Sequence, residues 1–159
     1  MKTDERNRAR ALRAGRHYAR ERGPDYAAGC ALFWAEGSRD RNTVKLTNSD
    51  PELVATFLRF LRTHFGVQSE EVSIRCNLFA DDAAEQKRIE EFWLARLGLE
   101  QASLRSSSVN VYSKYSKRKR TKKLPYGTCA LMVHSTRIAQ ILYGSIQELG
   151  GFDRPAWLR

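Results

Sequence analysis

Residues Asp25 to Ser38 read D-Y-A-A-G-C-A-L-F-W-A-E-G-S, and how they fold decides the rest of the architecture. At about 100° per residue, Ala27, Ala28, Ala31 and Ala35 fall in one narrow stripe, while Tyr26, Cys30, Phe33 and Trp34 gather on the opposite side. The spacing predicts a short helix with one face stripped to methyl groups and the other large and apolar. Small residues let a helix lie backbone to backbone against another helix, because bulk there holds the axes apart. The large face is then expected to cover a sheet. Asp25 is placed to cap this helix, and Gly37 is expected to supply a left-handed or strained conformation that stops it directly after Glu36.

On the N-terminal side, residues 1–23 are rich in Arg and Ala and predict a basic, weakly amphipathic helix or arm, set off by Gly23-Pro24. On the C-terminal side, Thr43 to Asn48 alternates strictly, with Val44 and Leu46 inward and Thr43, Lys45 and Thr47 outward. Ser49-Asp50-Pro51-Glu52 is a helix start, and that helix is expected to close at Gly66. Val72 to Leu78 alternates again, turning Ser73, Arg75 and Asn77 outward. Asp81-Asp82 caps a further helix ending at Gly98. Ser107 to Ser113 predicts a strand with Val109 and Val111 inward and Asn110 and Tyr112 outward. A basic run follows, and Leu124-Pro125-Tyr126-Gly127 turns the chain into Thr128 to His134, so a hairpin with a cationic tip is expected. Ser135 caps a last helix that stops at Gly150-Gly151. The tail, 152–159, is expected to pack across the surface.

The fold class is thus α+β, in the order helix, two short strands, helix, strand, inserted helix, two strands, helix. The units are a basic arm at 1–23, a domain at 24–151 and a tail at 152–159. Gly29 to Gly37 within this order resembles the LAGLIDADG motif of homing endonucleases, with Leu32, Ala35 and Gly37 identical, Phe33 and Glu36 conservative, and Trp34 at the position of the first aspartate. Without the arm and the inserted helix, the order is the α-β-β-α-β-β-α of that family. Nearly the whole chain from Gly29 is also similar to a group of bacterial, largely actinobacterial, proteins with no established activity, through stretches such as Asn48-Ser49-Asp50-Pro51 and Tyr143-Gly144-Ser145-Ile146-Gln147.

The resemblance implies a four-stranded antiparallel saddle sheet that lies on duplex DNA. It also implies a homodimer crossing at Ala28, Ala31 and Ala35, and a catalytic carboxylate at Glu36 that, with Ala35 beside it, holds Mg²⁺. One motif per chain supplies one carboxylate, so cleavage of both strands would need two copies. Lys45, Lys114 and His134 are candidates to assist at the phosphate.

The composition agrees with a polyanionic partner. At 159 residues the chain has the size of one domain, large enough to bury about 70% of its unfolded surface. Its three cysteines, Cys30, Cys76 and Cys129, are widely spaced in apolar runs and read as reduced core residues of a cytoplasmic protein. No apolar run has the length of a membrane span. The formal net charge is +10. No acidic residue stands between Glu100 and Glu148, an interval holding Arg105, Lys114, Lys117, Arg118, Lys119, Arg120, Lys122, Lys123 and Arg137.

The outward strand positions, Lys45, Thr47, Arg75, Asn77, Asn110 and Tyr112, carry the side chains that read base edges, and the run from Lys114 to Lys123 is suited to neutralise phosphates. Three functions are expected from this: a Mg²⁺-dependent endonuclease, a DNA-binding regulator that does not cut, and a protein that grips structured RNA.

Overall fold

The computed structural model describes residues 3–111 and 124–158. Five α-helices, four β-strands and short 3-10 turns make up these residues. The order is α1 (Thr3–Glu21), α2 (Pro24–Glu36), β1 (Val44–Asn48), α3 (Pro51–Phe65), β2 (Val72–Phe79), α4 (Ala83–Leu97), β3 (Ser108–Asn110), β4 (Thr128–Val133) and α5 (Thr136–Gly150). The class is α+β.

Helix boundaries follow the punctuation in the sequence. Asp50 accepts from the Glu52 amide at 2.9 Å, Asp82 from the Glu85 amide at 2.8 Å and Ser135 from the Ile138 amide at 3.1 Å. Each satisfies an orphan donor of a first turn. Gly66, Gly98 and Gly151 close α3, α4 and α5 in the left-handed conformation.

Helix α2 departs from expectation at both ends. Gly23 is its N-cap and Pro24 opens it, with Asp25 in the first turn rather than at the cap. Gly37 is extended, at φ −79° and ψ 154°. Glycine is needed there for space, because a Cβ would lie 2.3 Å from the Phe33 ring.

The sheet has the strand order β1-β4-β2-β3. Strand β4 is antiparallel to both β1 and β2, whereas β3 runs parallel to β2. The sheet is therefore mixed, and the expected hairpin of β3 and β4 does not form. Both edges of β4 are taken, by β1 and by β2, so β3 cannot pair with β4 and lies instead on the far edge of β2. It arrives there through α4, the crossover helix that a parallel pair requires. The expected first strand after α2 is reduced to one bridge, Gly37 to Leu46.

Val44, Leu46, Val72, Ile74, Cys76, Leu78, Cys129, Leu131 and Val133 project from one side of the sheet and are buried beneath the helices. Tyr26, Cys30 and Phe33 of α2 enter the same core, whereas Trp34 is 43% exposed and leans on Phe152. Burial pushes the Cys30 thiol up to about 12. All three cysteines are buried and free. At the β3 edge the inward pattern fails, since Val109 is half-covered and Val111 is largely exposed.

Helix α1 is docked rather than free. It lies across α5, where a Cβ on Gly15 would come within 1.9 Å of the Ile141 carbonyl and a Cβ on Gly144 within 1.9 Å of the Leu12 carbonyl. Ser145 Oγ bonds the Gly15 carbonyl at 2.8 Å and the Tyr26 hydroxyl at 2.7 Å, tying α1, α2 and α5 together. With α1 on one side and α2 on the other, residues 138–147 of α5 are all buried. No helix of the described residues is long and apolar enough to cross a membrane.

Candidate nucleic-acid interface

Strand register decides which polar side chains share a surface. Successive residues alternate between faces, so the inward set just described leaves Lys45, Thr47, Arg75, Asn77, Thr128, Ala130 and Met132 on the outer side. Lys45, Met132 and Ser73 form one cross-strand row, in which Ser73 is buried rather than outward as expected, and Thr47, Ala130 and Arg75 form the next. Asn77 stands level with Thr128 on one side and Ser108 on the other, and Asn110 Nδ2 donates to Asn77 Oδ1 at 3.0 Å.

Five of the sequence-predicted contacts, Lys45, Thr47, Arg75, Asn77 and Asn110, are thus brought onto one side of one sheet by three strands. Thr47, Arg75, Asn77 and Asn110 are exposed and Lys45 is half-buried. Central β4 contributes only Thr128, Ala130 and Met132 between them. No strand position on this side carries a carboxylate among the described residues. The arrangement can offer hydrogen-bond donors and acceptors across about 14 Å, the three inter-strand spacings from β1 to β3. Next in register, Thr43 Oγ1 and His134 Nδ1 bond at 3.1 Å, which holds His134 to the β1 end of its own row.

Tyr112, Lys114, Lys117, Arg118, Lys119, Arg120, Lys122 and Lys123 lie outside the described residues. Their flanks do not. Asn110, two residues before Tyr112, pairs with Phe79, and Thr128 pairs with Asn77, so the chain leaves for the basic run and returns from it at one end of β2. The return is firmly seated. Tyr126 stacks on Phe92 of α4 with centroids 3.6 Å apart, and its carbonyl accepts from Trp93 Nε1 at 2.9 Å. Gly127, at φ +63°, lies so close to β2 that a Cβ would be 2.1 Å from the Asn77 carbonyl.

Glu36 sits at the other edge of the sheet, on the last residue of α2. It is exposed, and its carboxylate accepts from Asn48 Nδ2 at 3.1 Å. Beside it, the Arg39 guanidinium donates to the carbonyls of Phe33, Trp34, Gly37 and Ser38, a cation on the negative end of the helix dipole. Burial lowers the Arg39 pKa from its usual value, with Tyr143 acting in the opposite direction. Ala28, Ala31 and Ala35 are exposed, and with Trp34 they form an uncharged helix face leading to Glu36.

Sequence reasoning missed Asn48, Arg39 and the Thr43–His134 pair. Asn48 closes a strand just before a helix cap, and Arg39 follows a helix end by three residues. Neither pattern names its partner before the fold brings it there.

Comparison with family models, with curated proteins and with solved structures finds no match.

Proposed function

We propose that the protein binds duplex DNA with the outer side of its sheet, as a homodimer paired through the exposed face of α2. The observation that carries this reading is the register that sets Lys45, Thr47, Arg75, Asn77 and Asn110 together without an outward carboxylate on any strand. Arginine and lysine pair with guanine, asparagine with adenine, and hydroxyls with either, in a groove wide enough for a two-stranded ribbon. The basic run from Lys114 to Lys123 joins the sheet at its Asn77 end and supplies phosphate neutralisation in this reading. The uncharged face of Ala28, Ala31 and Ala35, covered by no described element and flanked by half-exposed Trp34, supports pairing of two copies.

Magnesium-dependent cleavage is an extension of the same reading, supported by the position of Glu36 at the end of that face. One chain offers Mg²⁺ the Glu36 carboxylate and the Ala35 carbonyl, fewer than the six oxygen ligands this ion takes, so a second copy's Glu36 completes the carboxylate pair. Bound there, the ion would polarise a scissile phosphate and lower the pKa of attacking water. The work of the chain itself is to aim Glu36 through Asn48 and to hold the helix end through Arg39.

The test is selection from a random duplex library with Mg²⁺ or with EDTA, sequencing retained and cut molecules. Enrichment of a pseudo-palindromic site is expected. On that site Arg75→Ala or Asn77→Ala should weaken binding by about 5- to 150-fold, the range for loss of one bidentate base contact. Metal-dependent ends that vanish in Glu36→Gln while affinity survives would add the nuclease. Equal affinity in the Arg75 and Asn77 variants would defeat the sheet reading, and preference for structured RNA at fixed salt would replace DNA as the partner.

A further inference from the structure

The arginines of α1 divide into two sets. Arg8 pairs with Asp4 and donates to the Leu158 carbonyl; Arg16 bonds Glu148 and Asp153; Arg20 bonds Glu148. These hold the helix to the body of the protein. Arg6, Arg10 and Arg13 form the second set. They are exposed, and among the described residues none has a carboxylate within ion-pair distance.

With His17, also exposed, they follow one another at spacings of four, three and four residues and so make a single stripe. At 1.5 Å per residue the stripe runs for about 17 Å. Like charges at these spacings oppose helix formation. The helix stands because its other side is fixed on α5 through Gly15 and Gly144. Across a groove of about 480 Å³ from Arg10, exposed Arg137 on the first turn of α5 adds a further cation; Asp4 also lines this groove and is paired with Arg8.

The stripe does not belong to the sheet surface. Helix α5 is buried between α1 and the rest of the core, and the sheet turns its apolar side toward the helices. A duplex on the outer side of the sheet therefore lies two helix layers away, about 20 Å at 8–10 Å per layer. Ala11 and Gly15 are buried, and every exposed position of α1 carries a polar or charged residue. That leaves no apolar outer side for insertion into a bilayer, which an interfacial helix needs.

We infer that Arg6, Arg10 and Arg13, with Arg137 beside them, form a second, sequence-independent surface for the phosphate backbone of a nucleic-acid segment distinct from the one on the sheet. It goes beyond the sheet reading and stands on separate residues. One chain then holds two segments on opposite sides.

The test is a bridging assay. A biotinylated duplex is fixed on beads, saturated with protein and offered a fluorescent second duplex. Wild type should retain the second duplex with a log-log salt slope steeper by about 2.7 than the Arg6→Ala, Arg10→Ala, Arg13→Ala triple variant, three phosphates at about 0.9 each. At about 50 mM salt the triple variant should capture at least about tenfold less of the second duplex while binding the first as before. Lysine at the same three positions should restore capture. Circular dichroism melts check that the variants fold.

Capture of the second duplex by the triple variant at the wild-type level would overturn the inference, as would stronger binding to phosphatidylglycerol vesicles than to duplex. Arg75→Ala with Asn77→Ala separates the two readings: unchanged first-duplex binding defeats the sheet, whereas the α1 stripe stands or falls by the triple variant.

Discussion

Two helix faces in this protein are built from small residues, and they meet different fates. On α1 and α5, Gly15 and Gly144 bring the helices so close that each glycine faces the other helix's backbone carbonyl. On α2, Ala28, Ala31 and Ala35 form the cleaner stripe in the sequence, yet among the described residues no element covers them. Glycine permits an approach at which even a methyl group would collide. An alanine stripe permits contact without demanding it. What distinguishes a closed crossing from an open face is therefore the absence of Cβ at the contact, together with a hydroxyl such as Ser145 that links the backbones.

The sharpest way to break this comparison is Gly144→Leu. Its Cβ would enter the space of the Leu12 carbonyl, and the helices must separate or the backbone must shift. A loss of about 3 kcal/mol or more is expected in urea unfolding, at the upper end of overpacking costs. Limited proteolysis should open α1 first; wild-type stability and protection would show that the crossing does not hold α1.

Ser145→Ala is milder. It leaves the Gly15 carbonyl and the Tyr26 hydroxyl without their shared buried partner, at a cost of about 1–3 kcal/mol. The same titration resolves it, and no change would place the link between α1, α2 and α5 in the glycines alone.

The smallest effect on the single chain is expected from Ala31→Leu, within about 0.5 kcal/mol, because the site is exposed and leucine is a good helix former. Sedimentation decides its meaning. If α2 pairs two copies through this face, the variant shifts toward monomer; an unchanged dimer moves the interface elsewhere.

Much of the fold was legible because it rests on local rules. Asp50, Asp82 and Ser135 announce helices by the amides they cap, and Gly66, Gly98 and Gly151 end them by φ. Alternation in 43–48 and 72–78 set Lys45, Thr47, Arg75 and Asn77 on one side, since period two fixes the face once a core exists. Pairing was not legible. Nothing local in Ser108 to Asn110 says that it joins β2 in parallel, because that choice depends on β4 having filled both of its own edges. Trp34 was misplaced for a related reason: its angle on α2 places it between the two faces, and only the position of Phe152 settles where it rests. At the candidate site, the residue types were visible, but two partners were not: Asn48 meets Glu36 only after β1 returns along α2, and Arg39 curls back within six residues onto the carbonyls of the helix end.

The contact between Ser145 and Gly15 joins positions 130 residues apart. Seen as chain growth, α1 leaves the ribosome before the helix on which it rests has been made. At 5–20 residues per second, the interval is roughly 6 to 26 s. Over that time the glycine side of α1 waits for its partner, and α5, once made, must find a helix far back along the chain. Helix α1 is thus made well before α5 and can reach its final place only once α5 exists.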